Sequence, residues 1–124
     1  MDEQATQKQS STAMETVRIL STVEMDLIRS QVIEAMRTCY DPEIPVNIYE
    51  MGLIYETKVA ADGGVLVVMT LTSPHCPAAQ SLPNEVESKA RGVPGVTAVA
   101  VKVVWDPPWN PGMMSEAAKL ELGM

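Results

Sequence analysis

The stretch LIYETKVAADGGVLVVMTLT, residues 53 to 72, constrains the fold more than any other part of the chain. Two β-rich runs flank Ala61-Asp62-Gly63-Gly64, and the adjacent glycines supply the positive φ that a tight hairpin requires. In the first run Leu53, Tyr55, Thr57 and Val59 alternate with Ile54, Glu56 and Lys58. This alternation predicts one covered face and one partly wet face. The second run, Val65 to Leu71, is nearly all apolar and reads as a strand that is central in its sheet or covered on both faces.

An isolated hairpin is at best marginal in water, so the flanking segments must cover it. Upstream, Ser21 and Glu24 have capping-box spacing, and Ile28, Val32, Ala35, Met36 and Cys39 recur at intervals of three and four. This predicts a helix from Ser21 to the Asp41-Pro42 dipeptide, where proline disfavours helical geometry in the residue before it. Cys39 falls in the apolar stripe and reads as a small buried hydrophobe near the helix end. Residues 41 to 52, DPEIPVNIYEMG, form a loop, yet Ile44, Val46, Ile48 and Met51 should pack it onto the domain.

Downstream of Pro77, the positions of Ala78, Ala79, Leu82, Val86 and Ala90 predict a second helix, with Pro83 kinking it or splitting it in two. A third strand follows, in which Val99, Val101, Val103 and Trp105 share a face. A proline-rich segment then leads to a short helix capped by Ser115. The order α-β-β-α-β implies an antiparallel hairpin and a parallel crossover. The fold class expected is α+β, a two-layer sandwich with a small mixed sheet and a C-terminal tail carrying a short helix. The tail, with Trp105, Pro107-Pro108 and Trp109, either covers exposed sheet or serves as a partner surface.

At 124 residues the chain has the length of one domain. Residues 1–20 are rich in Gln, Ser and Thr and read as a flexible tail, leaving 21–124 as the single domain, the proline-rich tail included. Nine methionines and no phenylalanine mean that aliphatic and thioether side chains fill the interior. A net charge of -7 argues against unaided binding to nucleic acid or an anionic membrane, both of which select clustered Lys and Arg. No signal-peptide pattern and no long apolar run occur, so a cytoplasmic location is expected. There the two cysteines should remain reduced thiols, too few with one histidine to close a zinc cage.

Three features carry chemistry. In TSPHCPAAQ, residues 72 to 80, proline is favoured at a first helical position. If Pro77 occupies it, Cys76 is the N-cap, its sulfur among unpaired amides at the positive end of the helix dipole. Such a place stabilises a thiolate. His75 is adjacent in an extended turn, where neighbouring side chains point apart, so a Cys-His dyad is disfavoured. Asp41 and Glu43 sit two apart in a proline-restrained loop suited to turn capping or to holding a cation. WDPPWNPG, residues 105 to 112, is an aromatic and proline surface that seals the fold or binds a partner.

Together these stretches resemble the SufT and PaaD family of iron-sulfur cluster assembly proteins, also called the MIP-eighteen family. The resemblance runs from about Val23 to the C-terminus. Asp41-Pro42-Glu43 with Ile44, Val46, Asn47 and Ile48, then Met51-Gly52-Leu53-Ile54-Tyr55, resembles the family's first motif. Thr72 followed by Cys76-Pro77 resembles the second, and Trp105-Asp106-Pro107-Pro108-Trp109 with Met114-Ser115 the bacterial SufT-like ending. PaaD-type relatives usually carry further cysteines near the C-terminus; none follows Cys76 here, which favours the SufT-like branch.

The resemblance implies an iron-sulfur assembly-type fold and a non-enzymatic accessory role in assembling clusters or delivering them to apo client proteins. Cys76 is then the functional thiol, with Asp41, Glu43, Thr72 and Pro77 as its supporting loops; His75 and Cys39 receive no role. No cofactor is expected to be tightly bound. One thiolate cannot hold a cluster that usually takes about four, so iron or a cluster at Cys76 would be transient or shared between chains. The partners implied are the assembly machinery and its clients, a homodimer staying open, with neither nucleic acid nor membrane. The alternatives are a small thiol-dependent enzyme using Cys76 and His75, or a PaaD-like accessory protein of phenylacetate degradation. An RNA-binding module also has the α-β-β-α-β order, but the acidic charge opposes it.

Overall fold

The computed structural model describes residues 19–40, 44–73 and 78–123. In chain order these form α1 (Thr22–Met36), β1 (Ile54–Val59), β2 (Gly64–Met69), α2 (Ala78–Arg91), β3 (Ala98–Val103), a 3-10 turn (Pro111–Met113) and α3 (Glu116–Glu121). The sheet order is β1-β2-β3, antiparallel between β1 and β2 and parallel between β2 and β3. The parallel pair follows from α2, which returns the chain to the starting edge of the sheet. This is the expected α+β fold, with β2 as the central strand.

Short-range chemistry sets the element ends. The Ser21 hydroxyl accepts from the Glu24 amide at 3.1 Å while the Glu24 carboxylate accepts from the Ser21 amide at 2.9 Å, the reciprocal bonding of a capping box. In the hairpin Gly63 takes φ +92 and donates to the Ala60 carbonyl at 3.0 Å. The Ser115 hydroxyl accepts from Ala118 at 3.1 Å and starts α3 where expected.

Four details depart from the sequence reading. First, α1 ends at Met36, before Asp41-Pro42. The amides of Arg37, Thr38 and Cys39 reach carbonyls three residues back, and the Thr38 hydroxyl donates to the Ala35 carbonyl at 2.6 Å. These bonds tighten the last turn and stop the helix. Cys39 is buried as expected, but from this turn. Second, α2 is one helix through Pro83. Proline there forgoes one early backbone bond, while Leu82 and Val86 on either side stay buried. Third, β3 stops at Val103, so Trp105 lies beyond it and is 45% exposed. Fourth, the register slips between Ile54 and Glu56, inserting Tyr55 as a bulge that breaks the alternation of β1.

The core lies between the helices and one face of the sheet. Val65, Val67 and Met69 of β2 meet Ile28, Val32 and Met36 of α1 and Leu82, Val86 and Ala90 of α2 in a single buried cluster. Ile48, Met51 and Leu53 are fully buried in it, and Val46 nearly so, which fastens the loop after α1 to the domain. The opposite sheet face carries Leu66 and Val68, half-buried, with Glu56, Lys58, Ala98, Ala100 and Lys102 exposed. Of the N-terminal tail, residues 1–18 lie outside the described residues; Leu20 is buried and donates to the Ala61 carbonyl at 2.8 Å. No described helix is long and apolar enough to cross a membrane.

Candidate functional site

The two motif segments meet the fold at neighbouring points. Asp41 and Glu43 of the first, and His75, Cys76 and Pro77 of the second, lie outside the described residues; their flanks do not. Tyr40 pairs with Asn47 in an isolated bridge, and Ile48 donates to the Cys39 carbonyl at 2.9 Å, closing the base of the loop that carries residues 41–43. At the end of that loop the Leu53 carbonyl accepts from the Thr70 amide at 2.8 Å. Thr70 is fully buried at the end of β2, and Thr72, two residues on, is exposed. The chain therefore enters the 73–77 segment beside the strand that leaves the first motif.

The C-terminal motif closes onto the first motif rather than along the free edge of β3. The Trp109 indole donates to the Met51 carbonyl at 2.8 Å, and the Tyr55 hydroxyl to the Pro107 carbonyl at 2.7 Å. The Ser115 amide donates to the Glu50 carbonyl at 2.9 Å. Between these anchors Gly52 adopts φ +83, and a Cβ there would fall 2.9 Å from the Met113 carbonyl carbon, closer still to its oxygen. Glycine is required for that approach. Sequence reading missed this clasp, although the glycine inside EMGLIY was the one available signal of a close backbone approach.

Glu50 is the polar centre of the clasp. Its carboxylate pairs with Arg37, whose guanidinium lies 4.8 Å from the centre of the Tyr49 ring, and its amide donates to the Asn47 side chain at 2.9 Å. A hydrogen bond from the Ser115 side chain, aided by Arg37, holds the carboxyl below the usual glutamate range against the opposing effect of burial. Helix α1, the first motif and α3 are thus joined through one ionised side chain.

Cys39 is fully buried, and its thiol is pushed up to about 11, first by desolvation and then by the nearby Glu85 carboxylate; Lys89 opposes this weakly. It is protonated at neutral pH and shut off from solvent, hence a poor nucleophile. Among the described residues no group of three or more His, Cys, Asp or Glu is placed to hold a metal ion. A concavity of about 330 Å³ between the first-motif loop and α3 is lined by Tyr40, Val46, Asn47, Glu50, Ala118 and Glu121. A larger one, about 560 Å³, lies away from the motifs, beside the hairpin on the sheet.

Residues 29–103 match the family model described as iron-sulfur cluster assembly protein. A Porphyromonas gingivalis protein named Fe-S protein maturation auxiliary factor is 52% identical over 92 residues, 74% of this chain and 88% of the relative. The Staphylococcus aureus Fe-S protein maturation auxiliary factor SufT is 38% identical over 84 residues, 68% of this chain and 96% of that protein. Among solved structures, a Bacillus anthracis domain of unknown function, DUF59, superposes with a TM-score of 0.78 at 30% identity, covering 84% of this chain and 99% of that domain.

Proposed function

Since this chain belongs to the iron-sulfur cluster assembly protein family and resembles its SufT-like members, we propose that it is a non-enzymatic accessory factor that helps mature iron-sulfur proteins in the cytoplasm. Its partners are the assembly machinery and apo client proteins, and the cluster or its iron is cargo. Cys76 is the functional thiol, with Asp41, Glu43, Thr72 and Pro77 shaping the loops around it. The observation that carries this assignment is the state of the other cysteine: Cys39 is buried and protonated, which leaves Cys76 as the thiol available for chemistry.

A lone thiolate holds a cluster only in passing or together with ligands from another chain. The clasp supports the same reading, since it gives the loop bearing Asp41 and Glu43 a rigid base at Glu50 and Met51. Replacing Cys76 with Ser should reduce the activity of a client iron-sulfur enzyme in cells starved for clusters while the purified chain keeps its melting temperature. Undiminished client activity would sink the assignment.

A further inference from the structure

We propose that the open face of the sheet is a contact surface for a second copy of this chain. Helices α1 and α2 cover the other face, and among the described residues no helix lies on this one. Gly64 pairs with Ala98 and Leu66 with Ala100, so small side chains hollow the face next to Leu66 into the concavity of about 560 Å³.

The charges on this face complement themselves. Glu56 pairs with Val68 and Val68 with Lys102, so the three lie in one row across the sheet, with opposite charges at its two edges. A twofold axis running along β2, midway between two stacked sheets, places β1 of each copy over β3 of the other. Within one chain Glu56 already lies 3.5 Å from Lys58 in an exposed pair; in the stacked pair each Glu56 also faces Lys102 of the second copy, and Val68 meets its counterpart. In the next row, Lys58-Leu66-Ala100, the lysine stem lies over alanine, where no large side chain competes. An isologous interface requires this kind of self-complementarity. The chain as a whole carries -7 and repels its copies, whereas this face is balanced, with Lys58 and Lys102 against Glu56 and, at the hairpin end, Asp62.

Three strands about 4.8 Å apart and six residues long at about 3.3 Å each span roughly 300 Å². A stable complex buries about 800 Å² on each partner, so the pairing is weak and reversible. Both copies of β2 run the same way about the proposed axis, so both chains depart toward residues 72–77 at one end of the pair. The pairing does not depend on the reading of Cys76 given above.

Sedimentation velocity of the full chain, metal-free and reduced, at concentrations up to about 500 µM tests the pairing separately from any cluster chemistry. A monomer-dimer equilibrium is expected, weakened about tenfold by Lys102→Glu and by Glu56→Lys. It should be restored in the double variant and in an equimolar mixture of the two single variants. A chain that stays monomeric throughout, or a dimer indifferent to both reversals, overturns the proposal.

Discussion

Replacing Gly52 with alanine should release the C-terminal segment from the first motif. Two costs combine. The residue sits at φ +83, where an L side chain adds about 1–2 kcal/mol of steric strain. The new Cβ also runs into the Met113 carbonyl, which is backbone and cannot swing aside. Relief requires the segment to lift, which sacrifices bonds such as Trp109 to Met51 and Ser115 to Glu50, each worth about 0.5–1.5 kcal/mol net. The sum is about 2–4 kcal/mol, or roughly 10 °C or more in Tm for a domain of this size. Urea unfolding measures the loss. Trp109 emission in a Trp105→Phe background and proteolysis after residue 104 report release of the segment. Gly92→Ala is the control, since Gly92 lacks a positive φ and its nearest neighbour, the Lys89 carbonyl, lies 3.5 Å from a built Cβ. If Gly52→Ala is no more damaging than Gly92→Ala, or the segment stays docked, the account of the clasp is wrong.

Two further outcomes follow from ionisable groups. Cys39 has its folded value raised to about 11 from 9.0, so its contribution to stability is complete below pH 9 and is lost as pH rises toward 11; urea melts across that interval should show the decline and Cys39→Ala should flatten it. The same burial predicts that Cys39 resists alkylation at pH 8 until the chain is unfolded, which mass spectrometry of labelled peptides reads directly. Glu50 has the opposite sign: its lowered folded value makes the ionised clasp stabilising above the ordinary 4.5, a contribution lost as pH falls through the folded value. The Tm gap between the native chain and Glu50→Gln should therefore be widest near neutrality and narrow below pH 4.5.

Much of the fold was legible because its signals are short in range. Ser21 and Glu24 announce the start of α1, Gly63-Gly64 the hairpin, and Ser115 the last helix, each through bonds spanning a few residues. The stop of α1 was misplaced because competing three-residue bonds around Thr38 outrank the more distant Asp41-Pro42 signal. Pro83 was read as a kink or a split because its missing amide is visible in sequence, whereas the burial of Leu82 and Val86 that carries α2 past it is not.

The candidate site divides in the same way. The motif residues Asp41, Glu43, Thr72, Cys76 and Pro77 can be picked from the chain by their types and order. Glu50 could not, because an acidic residue in a loop looks solvated until Arg37, Asn47 and Ser115 are seen around it.

Sequence alone determined the α-β-β-α-β order, the hairpin, the helix starts and the stripes that become the core, because these depend on backbone sterics and hydrogen bonds between near neighbours. Tertiary structure alone decided where the C-terminal segment lies, why residue 52 must be glycine, and that Glu50 is a held carboxylate at the centre of the clasp. Each depends on contacts between distant parts of the chain, up to 58 positions apart in the bond from Trp109 to Met51, and on how much water the packed core excludes.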